Sequence, residues 1–355
     1  MPNDNPPVAL HAGARRSIPA HPSVAVVGAS GAVGVELVAC LEARGFPLAS
    51  LRLFASPRSA GRQIAFRGEM LTVEAIGDDS LDGIDIALFS AGSTASKAYA
   101  PRAAARGTVV IDNGSAFRME PDVPLVVPEV NAATIAQHHG IIANPNCVAI
   151  IAAVPLAPLH RANPIRRVIA ATYQSASGAG AAAMEELRAS TQAYLAGEAF
   201  APRVMAHPYA FNLFSHDAAV DADTGENGEE IKAVRELRKI LDAPDLRIGI
   251  TCVRVPVLRA HTIAMTVEFD RPMTVAAARE VLEAAPGIRI VDDRAHNHFP
   301  MPNEASGQGD VLVGRLREDA SDPSGRSIAM LVAGDQLLKG AALNAVQIAE
   351  ALIRK

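Results

Sequence analysis

One segment restricts the possible folds more than any other: SVAVVGASGAVGVELVACLEARG, Ser23–Gly45. It opens with a short apolar strand, VAVVG, turns through glycines, and continues as a helix with apolar residues at Val35, Val38 and Leu41. Gly28, Gly31 and Gly34 are spaced G-x-x-G-x-x-G, a variant of the G-x-G-x-x-G turn found in nucleotide-binding βα units. Side chains are missing where the backbone must turn tightly, so the N–H groups of Ser30, Gly31, Ala32, Val33 and Gly34 can approach a pyrophosphate at the helix N-terminus. A chain that starts this way is expected to build a parallel sheet with helices on both faces.

The following segments repeat the alternation. LRLFAS, residues 51–56, reads as a second strand, and its end is where an adenine ribose would lie. A site for NAD places an acidic residue there, whereas this chain has SPRSAG, with a cation at Arg58 and a hydroxyl at Ser59. Those groups suit a 2′-phosphate, so NADP is the expected cofactor. IDIALFSAG is a buried strand ending near Gly92 and followed by a helix through Ala105; TVVIDNGSAFR and GIIANPNC supply further strand ends. Strands alternating with helices through short connections indicate a doubly wound Rossmann-type sheet, with ligands at the carboxyl ends of its strands.

At 355 residues the chain exceeds one ordinary core, so two domains are expected. After Cys147 the texture changes to longer strands, loops and an amphipathic helix, EEIKAVRELRKIL, which suggests an α+β catalytic and dimerisation domain with a largely antiparallel sheet. The expected division is a flexible tail at 1–22, a nucleotide domain at 23–146 plus 334–355, and the second domain at 147–333. The net charge of −5 and the lack of tryptophan argue against nucleic-acid binding. The longest apolar run, residues 147–159, is interrupted by Pro155 and Pro158 and is too short to span a bilayer. SIPAHP follows Arg15 and Arg16 in place of an apolar signal region, so a cytoplasmic location is expected. Three cysteines without C-x-x-C spacing indicate neither a disulfide framework nor a metal site.

One of those cysteines sits in ANPNCVAIIAAVPLAPL, between Asn-Pro-Asn and an apolar helix. Cys147 reads either as core or as a thiol at a helix N-terminus, where the dipole and first N–H groups favour the thiolate. By themselves, His261 reads as a satisfied strand histidine, Gln174 as a strand-end amide, and Glu229 with Lys232 as a solvated pair one turn apart.

Taken together, GASGAVG, ASPRSAG, DNGSAFR, NPNC, YQSASGAG, EEIK, CVRVPVLRAH, DVLVGRLR and KGAALNAVQIAE occur in the order expected of the aspartate-β-semialdehyde dehydrogenase family. The resemblance runs from about Ser23 to the C-terminus. It implies reduction of β-aspartyl phosphate by NADPH to aspartate semialdehyde with release of phosphate, in aspartate-family amino-acid biosynthesis (lysine, threonine, methionine and diaminopimelate), by a homodimer.

Carried over residue by residue, the resemblance implies that Cys147 is the nucleophile, His261 the acid–base group titrating near neutrality, and Gln174 the residue positioning substrate and intermediate. Arg254 would clamp the substrate α-carboxylate and Glu229 would meet its amino group. Lys232, Arg118 and Asn146 would bind phosphate. Ser177, Gly178 and Gln336 would lie beside the nicotinamide, with Gln336 where many members have asparagine. Gly114 stands where serine is common, which is expected to loosen the loop carrying Arg118. The competing expectations are an N-acetyl-γ-glutamyl-phosphate reductase, against which Glu229 weighs by favouring a free ammonium, and a non-catalytic paralogue, against which the retained site residues weigh.

Overall fold

A computed structural model describes residues 17–353, so most of the expected tail lies outside the described residues. Its inner end is docked: the Pro22 carbonyl accepts the Ala49 N–H at 2.9 Å. The chain forms two compact units, one running up to Pro145 and resuming at Asn344, the other Asn146–Leu343. Among the described residues there are two seven-stranded sheets.

In the first unit, β1 (Ser23–Val27), α1 (Ala32–Ala43), β2 (Ser50–Ala55), β3 (Gln63–Phe66), β4 (Glu69–Ala75), β5 (Ile86–Phe89), α2 (Gly92–Ala105), β6 (Val109–Asp112), α3 (Pro128–Asn131) and β7 (Ile141–Ala143) follow one another. The sheet order is β3-β4-β2-β1-β5-β6-β7, parallel except for the β3–β4 hairpin. β1 therefore has its sequence successor β2 on one side and β5 on the other. That reversal is the switch point where the carboxyl ends of strands open a crevice.

Gly28 fills this point at φ +89°, and a Cβ on it would lie 2.3 Å from the Ser90 carbonyl beyond β5. A Cβ on Gly34 would lie 2.1 Å from the Gly28 carbonyl, so these two glycines let helix and strands meet without a gap. Leu37, Val38 and Leu41 turn inward from α1, whereas Val35, expected on that stripe, is 47% exposed. One turn of α1 faces solvent next to the glycine loop, and the apolar spacing alone did not show it.

The second unit begins with α4 (Cys147–Ala162), then β8 (Ile165–Gln174), α5 (Ala181–Ala196), β9 (Phe214–Ser215), α6 (Gly228–Ile240), β10 (Arg247–Arg254), β11 (His261–Phe269), α7 (Val275–Glu283), β12 (Ile288–Ile290), α8 (Pro302–Ala305), β13 (Val311–Glu318) and β14 (Ser327–Gly334). Its sheet order, β12-β13-β14-β11-β8-β10-β9, is largely antiparallel, with β8–β10 and β12–β13 parallel. β11 alternates buried and half-buried residues along its length, the pattern of a sheet with one face covered.

Helix α4 is buried nearly all round and runs through both Pro155 and Pro158, which interrupt the sequence but not the helix. The hydrogen bonds lost at proline are offset here by burial of the surrounding apolar side chains. α6 starts with a capping box: Asn227 Oδ1 accepts the Glu229 and Glu230 N–H groups, and Glu230 Oε2 accepts the Asn227 N–H. The other Glu230 oxygen accepts the Cys252 N–H at 2.8 Å, tying α6 to β10.

Residues 335–343 stay with the second unit, beyond the boundary expected at 334. Asp335 holds them, accepting from Arg259 Nε (2.7 Å), the Gly307 N–H (2.6 Å) and the Leu337 N–H (2.9 Å). A π-helical turn, Leu338–Ala342, then leads into α9 (Leu343–Ile353). In the first unit, Asn344 on α9 donates to the Val126 carbonyl and to Asn144 Oδ1.

Candidate active site

Cys147 is the first residue of α4 and is half-buried; Cys40 and Cys252 are buried. Burial pushes the Cys252 thiol up to about 12, which makes it a structural sulfur. Asn146 caps α4, its Oδ1 accepting the Val148 N–H at 2.8 Å and the Ala149 N–H at 3.4 Å. Asn146 is itself held by α6: its Nδ2 donates to Glu229 Oε1 at 2.9 Å, and its backbone N–H donates to Glu236 Oε2 at 2.5 Å. On the other side of the cysteine lies Gly340, where a Cβ would stand 3.0 Å from Cys147 Cβ and 3.2 Å from Gln336 Cβ. Cys147 and Gln336 are thus neighbours across a glycine.

From Gln336 the polar contacts lead to the histidine. Gln336 Oε1 accepts the Ala260 N–H at 2.8 Å, and its Nε2 donates to Ser177 Oγ. Ser177 Oγ lies 3.0 Å from Ser175 Oγ, and the Ser175 N–H donates to His261 Nδ1 at 3.1 Å. Because Nδ1 accepts, the ring proton sits on Nε2, which is buried and has no protein partner. Burial, with the nearby Arg254 and His216, pushes the His261 pKa down to about 3. The expected titration near neutrality is therefore corrected: this imidazole is neutral across the physiological range, with an N–H to donate.

Arg254, at the end of β10, is almost fully buried; its Nε donates to Asp217 Oδ1 at 2.9 Å and its Nη1 to the Ser175 carbonyl at 3.3 Å. Burial alone raises the Asp217 carboxyl, but the Arg254 charge and hydrogen bond, with His216, bring it below the usual range. Gln174 is buried at the end of β8, its Nε2 3.3 Å from Thr172 Oγ1. Gly178 lies against both Arg254 and His261: a Cβ there would be 3.1 Å from Arg254 Nη1 and from His261 Nε2. Gly178→Ala is expected to lower kcat/KM about 100-fold, since a methyl group there would push Arg254 and His261 aside by a fraction of an ångström. Thermal unfolding of the same variant checks that the fold survives.

Glu229 and Lys232 share α6 but not one environment. Glu229 is 7% exposed and bonded to Asn146, whereas Lys232 is exposed, so the solvated-pair reading fails. Both charges are nonetheless felt by His216 together with those of Arg254 and Asp217, which places them around one polar cluster. That cluster brings together Cys147, Asn146, Gln174, Ser177, Gly178, Glu229, Lys232, Arg254, His261 and Gln336.

The remaining expected site residues belong to the first unit. The N-cap of α1 is Gly31, without a side-chain cap or an acidic residue in the first turn, so its leading N–H groups suit an anion. This uncapped start, beside glycines whose Cβ atoms would collide with backbone, is what a dinucleotide pyrophosphate requires. Arg58 is exposed and Ser59 half-buried in a 3-10 turn, Pro57–Ser59, just past β2. Gly92 opens α2 at φ +80°.

Arg118 is nearly buried, donating from Nε to the Asn144 carbonyl (3.0 Å) and from Nη2 to the Asn113 carbonyl (2.8 Å). Its loop is not loosened by Gly114. The Gly114 N–H donates to Asp112 Oδ1 at 2.8 Å, and a Cβ there would lie 2.9 Å from Ser96 Oγ, so the glycine permits a tight turn.

Sequence reading did not single out Ser175, Asp217, Glu236 or Gly340. The polar pair HD at 216–217 and the i, i+7 spacing of Glu229 and Glu236 were available signals, but both resemble ordinary surface patterns. Among the described residues no group of three or more metal-ligating side chains occurs, and no helix is long and apolar enough to cross a membrane.

Comparison with known proteins agrees with this geometry. A family model described as semialdehyde dehydrogenase, NAD binding domain, matches residues 23–138; one described as semialdehyde dehydrogenase, dimerisation domain, matches 156–339. Aspartate-semialdehyde dehydrogenase of Synechocystis is 51% identical over 332 residues, covering 94% of this chain and 97% of the relative. That of Bacillus subtilis is 45% identical over 337 residues, covering 93% and 96%. The crystal structure of aspartate semialdehyde dehydrogenase II from Vibrio cholerae superposes with a TM-score of 0.91 at 41% identity, covering 94% of this chain and 99% of that one. A second structure of that enzyme is a complex with ASA, at the same TM-score and identity. With a thiol at the head of a buried helix, a dinucleotide turn in the other unit, and this likeness over nearly its whole length, the chain belongs to the semialdehyde dehydrogenase family, alongside its aspartate-semialdehyde dehydrogenases.

Proposed function

We propose that the protein is an NADP-dependent, phosphorylating aspartate-semialdehyde dehydrogenase acting as a cytoplasmic homodimer in aspartate-family amino-acid biosynthesis. The observation that carries this reading is the half-buried Cys147 at the start of α4, joined through Gln336, Ser177 and Ser175 to a neutral His261 beside Arg254.

Arg254 keeps part of its fork available for the substrate α-carboxylate while Asp217 fixes its Nε. Glu229, which also holds Asn146, meets the α-ammonium, and Lys232 with Asn146 receives the phosphate. The Cys147 thiolate attacks the acyl phosphate carbon; the C–S bond forms, the C–O bond to phosphate breaks, and phosphate leaves with its electron pair. His261 Nε2–H donates to the carbonyl oxygen as negative charge develops there, and Gln174 orients the acyl group. The turn from Gly28 to Gly34 would hold NADPH, whose chemistry would be to supply a hydride for reduction of the thioester. Collapse of the resulting thiohemiacetal breaks the C–S bond, releases the aldehyde and returns the sulfur.

The test is NADP reduction by the purified full chain with aspartate semialdehyde, with and without phosphate. Activity that requires phosphate is expected; activity indifferent to it, or greater with the N-acetyl-γ-glutamyl analogue, refutes the assignment. Arg58→Ala is expected to lower the NADP-over-NAD ratio of kcat/KM by about tenfold or more, through loss of a cation at the 2′-phosphate.

A further inference from the structure

Helix α4 lacks part of its own cap. In a capping box, the side chain at the cap position bonds the N–H two or three residues on, and a Glu or Gln at N3 returns the favour by accepting the cap residue's N–H. Asn146 performs the first half, but the N3 residue is Ala149, which is fully buried and has no acceptor to offer. An unmet N–H at Asn146 would be costly because the residue is 8% exposed. Glu236 supplies the missing half from another helix: it is 1% exposed, and its Oε2 accepts the Asn146 N–H at 2.5 Å. α6 itself has the complete motif within its own sequence, Asn227 with Glu230.

Resting on the function proposed above, we infer that Glu236 is a positioning residue for catalysis: as the remote half of the α4 capping box it fixes the Pro145–Asn146 peptide, one residue ahead of Cys147, and so the direction of the nucleophilic sulfur. The following peptide is held by the helix itself, the Asn146 carbonyl accepting the Ile150 N–H at 2.9 Å, while Glu229 grips the Asn146 side chain at Nδ2. Glu229 and Glu236 lie on one face of α6 two turns apart, so a single helix holds the cap residue at both its side chain and its backbone. Gly340 closes the opposite side. The role needs an acceptor oxygen at the right reach and does not need catalytic chemistry from Glu236.

Glu236→Ala, Glu236→Gln and Glu236→Asp separate these requirements. For Glu236→Ala, kcat is expected to fall about 100-fold, with KM for NADP and for aspartate semialdehyde within about threefold of the parent. The rate of Cys147 alkylation by iodoacetamide is expected to fall with kcat, because the helix start that presents the sulfur is no longer held in place. Glu236→Gln keeps an acceptor at the same reach and is expected to recover most of the lost rate. Glu236→Asp keeps the charge but withdraws the oxygen, and is expected to behave like the alanine variant.

A purely structural Glu236 would give a lowered thermal transition with kcat unchanged, which overturns the inference. A glutamine variant as damaged as the alanine variant overturns it too, by showing that charge rather than reach matters. If Glu236→Ala does not fold, the contrast between Gln and Asp decides alone. Should the parent enzyme lack phosphate-dependent activity, the functional assignment fails, while the alkylation rates still decide whether Glu236 directs the cysteine.

Discussion

Cys147→Ala is expected to abolish phosphate-dependent NADP reduction, with a loss of at least ~10⁴-fold, while NADP binding stays within about twofold of the parent. The two readouts separate because the residues that would hold the nucleotide, the glycines from Gly28 to Gly34 with Arg58 and Ser59, belong to the other unit. Without the sulfur no thioester forms, and no other group in the cluster replaces it. Cys252 is sealed at the strand core with its thiol pushed up to about 12, and Cys40 is buried in α1. Absorbance measurement of NADP reduction with aspartate semialdehyde and phosphate, and fluorescence titration with NADP, check the two halves. A variant that turned over at a tenth of the parent rate would remove Cys147 from the reaction.

His261→Ala is expected to lower kcat about 10³-fold, the scale of losing one aimed donor to a developing oxyanion. The mechanism of that loss is specific. Since Ser175 donates to Nδ1 and burial keeps the ring neutral, the proposed role of the imidazole is donation from Nε2–H, and no gain and loss of charge near neutrality is expected. The parent's kcat/KM profile should accordingly show no limb from this residue between about pH 6 and 8. A limb in that window that vanishes in His261→Ala would contradict the neutral-donor role.

The same shift affects stability. The folded pKa of about 3 lies below the unfolded value of 6.5, so the unfolded chain binds the extra proton between those limits. The contribution is fully present above pH 6.5 and is lost as the pH falls toward 3. Urea midpoints of the parent should therefore fall more steeply across that interval than those of His261→Ala.

How much of this was legible in the sequence depended on how far apart the partners lie along the chain. The glycine turn could be read because Gly28 and Gly34 act within one βα unit, and their tight contacts are local. Cys147 could be read as far as its helix position. Its surroundings could not, since Glu236 reaches the preceding Asn146 from 90 positions away and resembles any charged residue on an amphipathic helix. Glu229 was misjudged as solvated for the same reason: burial is a property of what packs above a helix, which periodicity does not reveal.

His261 illustrates a different failure. Its location was recognised, but its charge state is set by burial and by Arg254 and His216, neither of which adjoins it in sequence. Gly114 shows that a substitution which looks permissive can be required, once Ser96 and Asp112 are seen to fill the space beside it.

Glu230 has a bearing on any effort to retarget the enzyme. One carboxylate closes the α6 cap and also pins the Cys252 amide on β10. The helix carrying Glu229 and the strand carrying Arg254 are therefore tied to each other by this side chain, with Arg238 on the same helix donating to the Leu246 carbonyl just before the strand. Redesign for a longer or acylated substrate cannot widen one end of the pocket independently of the other. Substitutions at Asn227, Glu229, Glu230 and Arg254 will show strong epistasis, and combinations will succeed only where the carboxylate joining the two elements is retained.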